Sequence, residues 1–371
     1  MRFVVSSTSL SHSLQAVSKV IASKNAMPIR ENILFEIKGT QLTLTASDED
    51  NTFKAQLEIN SADGDFAFTI PARHMIDIMG KFPEMPLTFD VSDLSKIQLT
   101  SETGKYQLVG TSAEEYPQMK ELDNANTFSI AGDVLLRAIS KTVFAAADNE
   151  LRPIMNGICF VINNDGLVCA ATDSHQLVRF TNTSITGQDA QFVLPKKPAN
   201  ILKNVLPKEK ADVKITFNSN SACFELEKYT LVSRLIEGKY PNFNAVIPQN
   251  NINKLTIDKA SFMSAINRVA VCSNQASNLI KLDINTNEMI LTAQDYDFST
   301  FATEKINCQF EGTPMAIGLK APFLLDILGG IDSDDVIIEL SDPSRAVLIL
   351  PFNKLENEEI LMLLMPMTLG D

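Results

Sequence analysis

The 371-residue sequence has no apolar run approaching the roughly 20 residues that a membrane helix needs. The longest, Ile360-Leu361-Met362-Leu363-Leu364-Met365, suits one strand. The opening Met1-Arg2-Phe3-Val4-Val5-Ser6 carries one charge and lacks the long apolar region of a signal peptide, so a cytoplasmic protein without membrane contact is expected. Cysteine is scarce and odd in number: Cys159, Cys169, Cys223, Cys272 and Cys308. None forms a C-x-x-C pair, which argues against a disulfide framework and for buried free thiols in a reducing cytosol. The three histidines, His12, His74 and His175, have no ligand spacing. Neither a G-x-x-x-x-G-K-[ST] phosphate loop nor a G-x-S-x-G elbow occurs. No cofactor, metal or enzymatic activity is therefore expected. Lys and Arg number 32 against 45 Asp and Glu, for a net charge of −13. Taken alone, that balance argues against nucleic acid, but the rule fails where charge is segregated along the chain.

What is present is a soluble globular composition, 45% apolar and 21% charged, with room for two or three domains. The chain also repeats itself. Leu14-Gln15-Ala16-Val17-Ser18-Lys19-Val20 matches Leu136-Arg137-Ala138-Ile139-Ser140-Lys141-Thr142 and Met263-Ser264-Ala265-Ile266-Asn267-Arg268-Val269. Ala46-Ser47-Asp48, Ala171-Thr172-Asp173 and Ala293-Gln294-Asp295 each end an alternating stretch. Pro71-Ala72-Arg73 aligns with Pro195-Lys196-Lys197 and Lys320-Ala321-Pro322, and Tyr116-Pro117 with Tyr240-Pro241 and Met365-Pro366. These landmarks keep one order and a period of about 124 residues, which gives three domains: 1–124, 125–249 and 250–371. The boundaries fall in Asn-rich stretches, Leu122-Asp123-Asn124-Ala125-Asn126 and Pro248-Gln249-Asn250-Asn251.

Each repeat reads as α+β. Its first helix buries a stripe such as Leu10, Leu14, Val17 and Ile21, and period-two strands such as Leu42, Leu44, Ala46 follow. Such alternation suits antiparallel sheets covered on one face. Windows 1–30, 134–147 and 261–281, around the first helices, contain no acid where about eight would be expected by composition. Each holds a basic residue at one equivalent position: Lys19, Lys141 and Arg268. Lys19 falls on a face with His12 and Gln15, away from the apolar stripe. Cations without base-reading partners suit sequence-independent phosphate contact, although ordinary solvated helix faces would also look this way.

Met155-Asn156-Gly157 through Ala171-Thr172-Asp173-Ser174-His175-Gln176-Leu177, then Gly238-Lys239-Tyr240-Pro241-Asn242-Phe243 and Met365-Pro366-Met367, resemble the bacterial beta sliding clamp family, the processivity subunit of DNA polymerase III. The resemblance covers the whole chain. It implies three repeated clamp domains, each with two helices facing a central channel and antiparallel sheets outside, in a head-to-tail homodimeric ring. The implied partners are double-stranded DNA, the polymerase catalytic subunit, the clamp loader and other proteins with a clamp-binding motif. The implied DNA contacts are Lys19, Lys24, Arg73, Lys141, Arg152, Lys196, Lys197 and Arg268. The implied peptide pocket is Met155, Thr172, Ser174, His175, Gln176, Leu177, Pro241, Ala245, Val246, Phe323, Leu363, Met365, Pro366 and Met367. By position the subunit contact involves His74, Tyr106, Val271 and Cys272. Many members have Gly-His-Arg-Leu at Ser174-His175-Gln176-Leu177, a basic residue at Ala245 and an Arg at Thr368, and end before Gly370-Asp371. The apolar floor is expected to be kept while the polar rim is not, so the preferred peptide should differ at polar positions.

Two rival readings belong to other classes. Asp48, Asp173 and Asp295 recur at equivalent positions and could be metal ligands of an enzyme, but each lies in a different repeat and at an Asx-turn position. A scaffold that never touches DNA would not need acid-free helices.

Overall fold

The computed structural model describes residues 1–22, 27–118, 122–123 and 125–369. Among these residues six α-helices appear at the repeat positions: α1 Ser7–Val17, α2 Ala72–Met79, α3 Gly132–Thr142, α4 Lys196–Val205, α5 Lys259–Ala270 and α6 Ala321–Gly329. Side chains cap two first helices. Ser6 Oγ accepts the Ser9 amide at 3.2 Å, and Asp258 Oδ1 accepts the Ser261 amide at 2.8 Å. Leu10, Leu14 and Val17 are fully buried under α1, as are Leu135, Ala138 and Ile139 under α3 and Phe262, Ala265 and Ile266 under α5. Two details differ from the sequence expectation. Ile21 lies beyond α1 and is half-buried, because a 3-10 turn over Ser18–Val20 places Val20 in the core instead. Helix α3 starts early enough to include Asp133, so it is not free of acid.

All strand pairings in the four sheets are antiparallel. The sheets do not stop at the repeat borders. An eight-stranded sheet joins strands of the first and second repeats where Asn51–Glu58 pairs with Tyr229–Arg234. A nine-stranded sheet joins the second and third where Gln176–Asn182 pairs with Glu358–Leu364. A five-stranded sheet of the first repeat ends in the unpaired edge Lys105–Leu108, and a four-stranded sheet of the third ends in the edge Thr300–Asn307. The chain accordingly forms two compact units, 1–136 with 197–237, and 137–196 with 238–371. Among the described residues no helix is long and apolar enough to cross a membrane.

The recurring aspartates close tight turns. Asp48 Oδ1 accepts the amides of Asp50 and Asn51 at 2.9 and 2.6 Å. Asp173 Oδ1 does the same for His175 and Gln176, both at 2.8 Å, and Asp295 Oδ1 for Asp297 and Phe298 at 2.8 and 3.2 Å. A carboxylate oxygen satisfying two amides of its own turn explains why the residue type recurs without any shared site.

Candidate functional site

The second unit holds the predicted pocket residues around one apolar cluster. Its floor is Leu177, Ile247, Ala346, Leu348, Leu361 and Leu363, all buried, with Phe243 and Leu350 packed against it. The register explains the assembly. Leu177 lies opposite Leu363, and Leu348 opposite Leu363 on the other side, so side chains on one face of three adjacent strands meet. Above the floor, Val246 is 59% exposed and Met365 41% exposed. Pro241 and Ala245 are exposed in and beside the 3-10 turn Phe243–Val246.

The Asp173 turn shapes one end of this surface. Thr172 Oγ1 donates to the Gln176 carbonyl at 2.6 Å, and the Thr172 amide donates to the buried Tyr240 hydroxyl at 3.2 Å. Ser174 adopts φ +81°, a left-handed conformation that favours glycine. His175 projects outward and stacks on Phe323 at 6.1 Å between centroids, with Lys320 Nζ 4.6 Å from the same ring. The tail is stitched alongside. The Met365 amide donates to the His175 carbonyl at 2.8 Å, and the Met367 amide to the Gly318 carbonyl at 2.8 Å. Only glycine fits at 318, because a Cβ there would sit 2.7 Å from the Met367 carbonyl oxygen. Pro366 and Met367 are half-buried in this segment and Met155 is buried beneath Ser174, whose Oγ lies 4.0 Å from the Met155 sulfur.

Two of the sequence-assigned residues hold further contacts at this loop. The Gln176 side chain is 3% exposed, and its amide nitrogen donates to Asp173 Oδ2 at 3.2 Å. Arg152, grouped by sequence with the DNA-facing cations, is exposed and donates from Nη1 to Ser174 Oγ at 3.0 Å, which also puts it beside the pocket loop.

The helix cations are less free than sequence suggests. Lys19 and Arg73 are exposed, and Lys24 lies outside the described residues. Lys141 reaches Asp332 at 2.6 Å. Lys196 Nζ contacts Asp148 at 2.5 Å and the Ala146 carbonyl at 3.3 Å. Lys197 Nζ contacts Asp48 at 2.6 Å and the Val20 carbonyl at 2.7 Å. Arg268 pairs with Glu304, Nε to Oε2 at 2.9 Å, and the guanidinium holds the Glu304 carboxyl below its ordinary range. The acid-free helix windows thus draw acids from neighbouring loops and strands. Asp332 and Asp148 are themselves about four-fifths exposed, so those pairs are labile surface contacts.

At the first open sheet edge, Tyr106 is 42% exposed and packs edge-on against Phe82 at 5.3 Å, with His74 exposed on α2. In the second unit, Val271 is 83% exposed at the end of α5 with Cys272 half-buried beside it. Buried thiols are chemically quiet. Burial pushes the Cys159 thiol up to about 12 and that of Cys223 to about 11, and raises Cys169 strongly. Among the described residues no group of three or more His, Cys, Asp or Glu could hold a metal.

Three family models match in chain order: the DNA polymerase III beta subunit N-terminal domain over residues 1–120, the central domain over 129–242 and the C-terminal domain over 244–368. The chain belongs to the DNA polymerase III beta subunit family. It is 27% identical to the beta sliding clamp of Pseudomonas aeruginosa over 371 residues, all of both chains, and 26% identical to that of Staphylococcus aureus over 361, covering 95% and 96%. The crystal structure of a sliding clamp from Bartonella birtlesii bound to griselimycin matches all of both chains with a TM-score of 0.92 at 28% identity. The function of the family, and of this chain within DNA replication, is that of a sliding clamp, and its sliding clamp relatives are non-catalytic processivity factors.

Sequence reasoning missed several residues of the clamp's surfaces. Phe243, Ile247, Ala346, Leu348 and Leu361 belong to the apolar cluster. Leu361 was discoverable, since it shares a strand face with Leu363. Ala346 and Leu348 carry no local signal, because only the strand pairing brings them there. Tyr296, Phe298 and Phe301, at 82%, 72% and 58% exposure, also escaped notice around the open edge of the third repeat. The Asp295 turn signals them, since apolar residues there have no core to enter.

Proposed function

We propose that two copies of this chain close head to tail into a ring around duplex DNA, with domains 1–124, 125–249 and 250–371. The ring holds polymerase, clamp loader and other motif-bearing partners through short peptides laid on the apolar cluster. One observation carries the ring: the two internal seams are antiparallel strand pairs, and the equivalent strands at the two ends, Lys105–Leu108 and Thr300–Asn307, are open edges. Thr52 faces Val232 in the first seam and Leu177 faces Leu363 in the second. Phe301, which pairs with Gln294 as Leu177 pairs with Thr172, would face Leu108 of a second copy in the third. His74, Tyr106, Val271 and Cys272 would border that seam.

Lys19, Arg73 and Arg152 would meet phosphates directly, with Lys141, Lys196, Lys197 and Arg268 exchanging their present acids for phosphate and Lys24 adding a further cation. The floor residues with Met155, Thr172, His175, Val246, Phe323, Met365, Pro366 and Met367 would take the peptide, and Ser174, Gln176, Pro241 and Ala245 would frame it. Methionine suits a surface that repacks around varied peptides. The protein acts without cofactor, catalyses no reaction and works in the cytoplasm. The test is loading onto nicked circular DNA with a cognate loader, followed by linearisation. Retention on circles and loss from linear DNA supports a topological link. Retention on both, or on neither with a competent loader, overturns it.

A further inference from the structure

Arg179 occupies an unusual place in the apolar surface. It lies two residues beyond Leu177 on the same strand and opposite Leu361, so it shares a face with Leu177, Leu361 and Leu363. A guanidinium thus closes one end of an otherwise hydrocarbon floor. Its side chain is 22% exposed. Nη1 donates to Asn244 Oδ1 at 3.2 Å, and Nη2 stands 3.5 Å from Glu359 Oε1. Nε is buried without a hydrogen-bond partner. The other nearby carboxylate is committed elsewhere. Glu358 projects from the opposite face and receives Arg137 Nη2 at 2.7 Å and Asn182 Nδ2 at 3.2 Å. Among the described residues the acid paired with Arg179 is therefore Glu359, half in solvent and at the long end of ion-pair range.

Asn244 lies in the exposed 3-10 turn Phe243–Val246, next to the uncharged Ala245. We propose that Arg179 selects partner peptides carrying a carboxylate just beyond their apolar anchors. This inference rests on the peptide-binding reading of the cluster. An incoming carboxylate displaces Glu359 and takes a two-pronged hydrogen bond from the guanidinium beside apolar walls, where such bonds are stronger than in bulk water. Lysine would not replace it, since the fork geometry is what spans Asn244 and the ligand.

The test uses fluorescein-labelled synthetic peptides with leucine and phenylalanine anchors, flanked at either end by Asp or by Asn, in anisotropy titrations at low and high salt. With the wild-type chain, one Asp peptide should bind roughly tenfold tighter than its Asn twin, with the gap shrinking in high salt. Arg179→Gln should abolish the difference between the Asp and Asn peptides, an interaction-specific outcome that a merely structural role, which would weaken both alike, would not produce. Glu359→Gln, which removes the competing acid, should widen the gap several-fold, and it keeps the proposal testable if Arg179→Gln does not fold. Equal binding of Asp and Asn peptides overturns the role of Arg179 and leaves the pocket standing. An Asp preference that survives Arg179→Gln, or a gap that Glu359→Gln leaves unchanged, overturns it as well. Failure of every peptide to bind wild type overturns both readings.

Discussion

Met365 and Leu177 should separate binding from stability. Both belong to the proposed peptide surface, but Leu177 is 1% exposed and Met365 41%. A methionine presents about 200 Å² when free, so about 80 Å² remains for a peptide to cover, contributing about 2 kcal/mol at ~25 cal/mol per Å². Ordering the peptide and the flexible thioether reduces the observable part to roughly 1–2 kcal/mol. Met365→Ala should thus weaken binding about five- to thirtyfold. The same change should cost the fold about 1 kcal/mol or less, since much of the side chain is already in water. Leu177→Ala should behave in the opposite way, removing buried hydrocarbon from a filled cluster at a cost of about 2–5 kcal/mol. Anisotropy with a leucine- and phenylalanine-bearing peptide measures the first effect, and urea unfolding followed by hydrogen exchange in Gln176–Asn182 measures the second. Unchanged peptide affinity in Met365→Ala would refute the assignment of this surface. So would a loss of stability in Met365→Ala equal to that in Leu177→Ala, because it would place Met365 in the core.

The remaining expectations concern charge. If DNA contact is phosphate-based, Lys19→Ala and Arg73→Ala should each lower the slope of log K against log salt by about 0.9, whereas Lys197→Ala, which removes a cation already held by Asp48 and Val20, should change it less. Equal effects from all three would show that the internal pairs are freely exchanged. Asp258, the cap of α5, has its carboxyl held below the ordinary value of 3.8 by the hydrogen bonds from Ser261. A depressed folded-state pKa contributes stability that is complete above the unfolded value and is lost as pH falls through the folded one. Hydrogen exchange at the start of α5 should accelerate below about pH 4, and Asp258→Asn, which keeps a capping oxygen without the charge, should flatten that dependence.

The features legible in sequence are the ones that local chemistry determines. The helix stripes follow from the spacing of Leu10, Leu14 and Val17, and the Asp48, Asp173 and Asp295 turns follow from the reach of an aspartate to amides two and three residues ahead. The antiparallel sheets likewise follow from strand alternation. Gln176 shows where this stops. Its position in the motif is readable, but its burial depends on Asp173 receiving its amide and on Leu364 lying opposite. The ion pairs of Lys141, Lys196 and Lys197 were hidden for the same reason, since each acid arrives from elsewhere in the chain or from beyond the helix. Arg179 gave no motif at all and becomes visible only through the pairing of its strand with Leu361.

The chain's ancestry is written in threes, but its hydrogen bonding is not. Because Gln176–Asn182 and Glu358–Leu364 share one sheet, and Asn51–Glu58 shares another with Tyr229–Arg234, no single repeat is a portable module. Deleting residues 251–371 would take five of the nine strands from one sheet and strip the partner from a strand that carries Leu177. Duplicated genes usually buy freedom to shuffle their copies; here the copies have been sewn together, so recombination between repeats is closed.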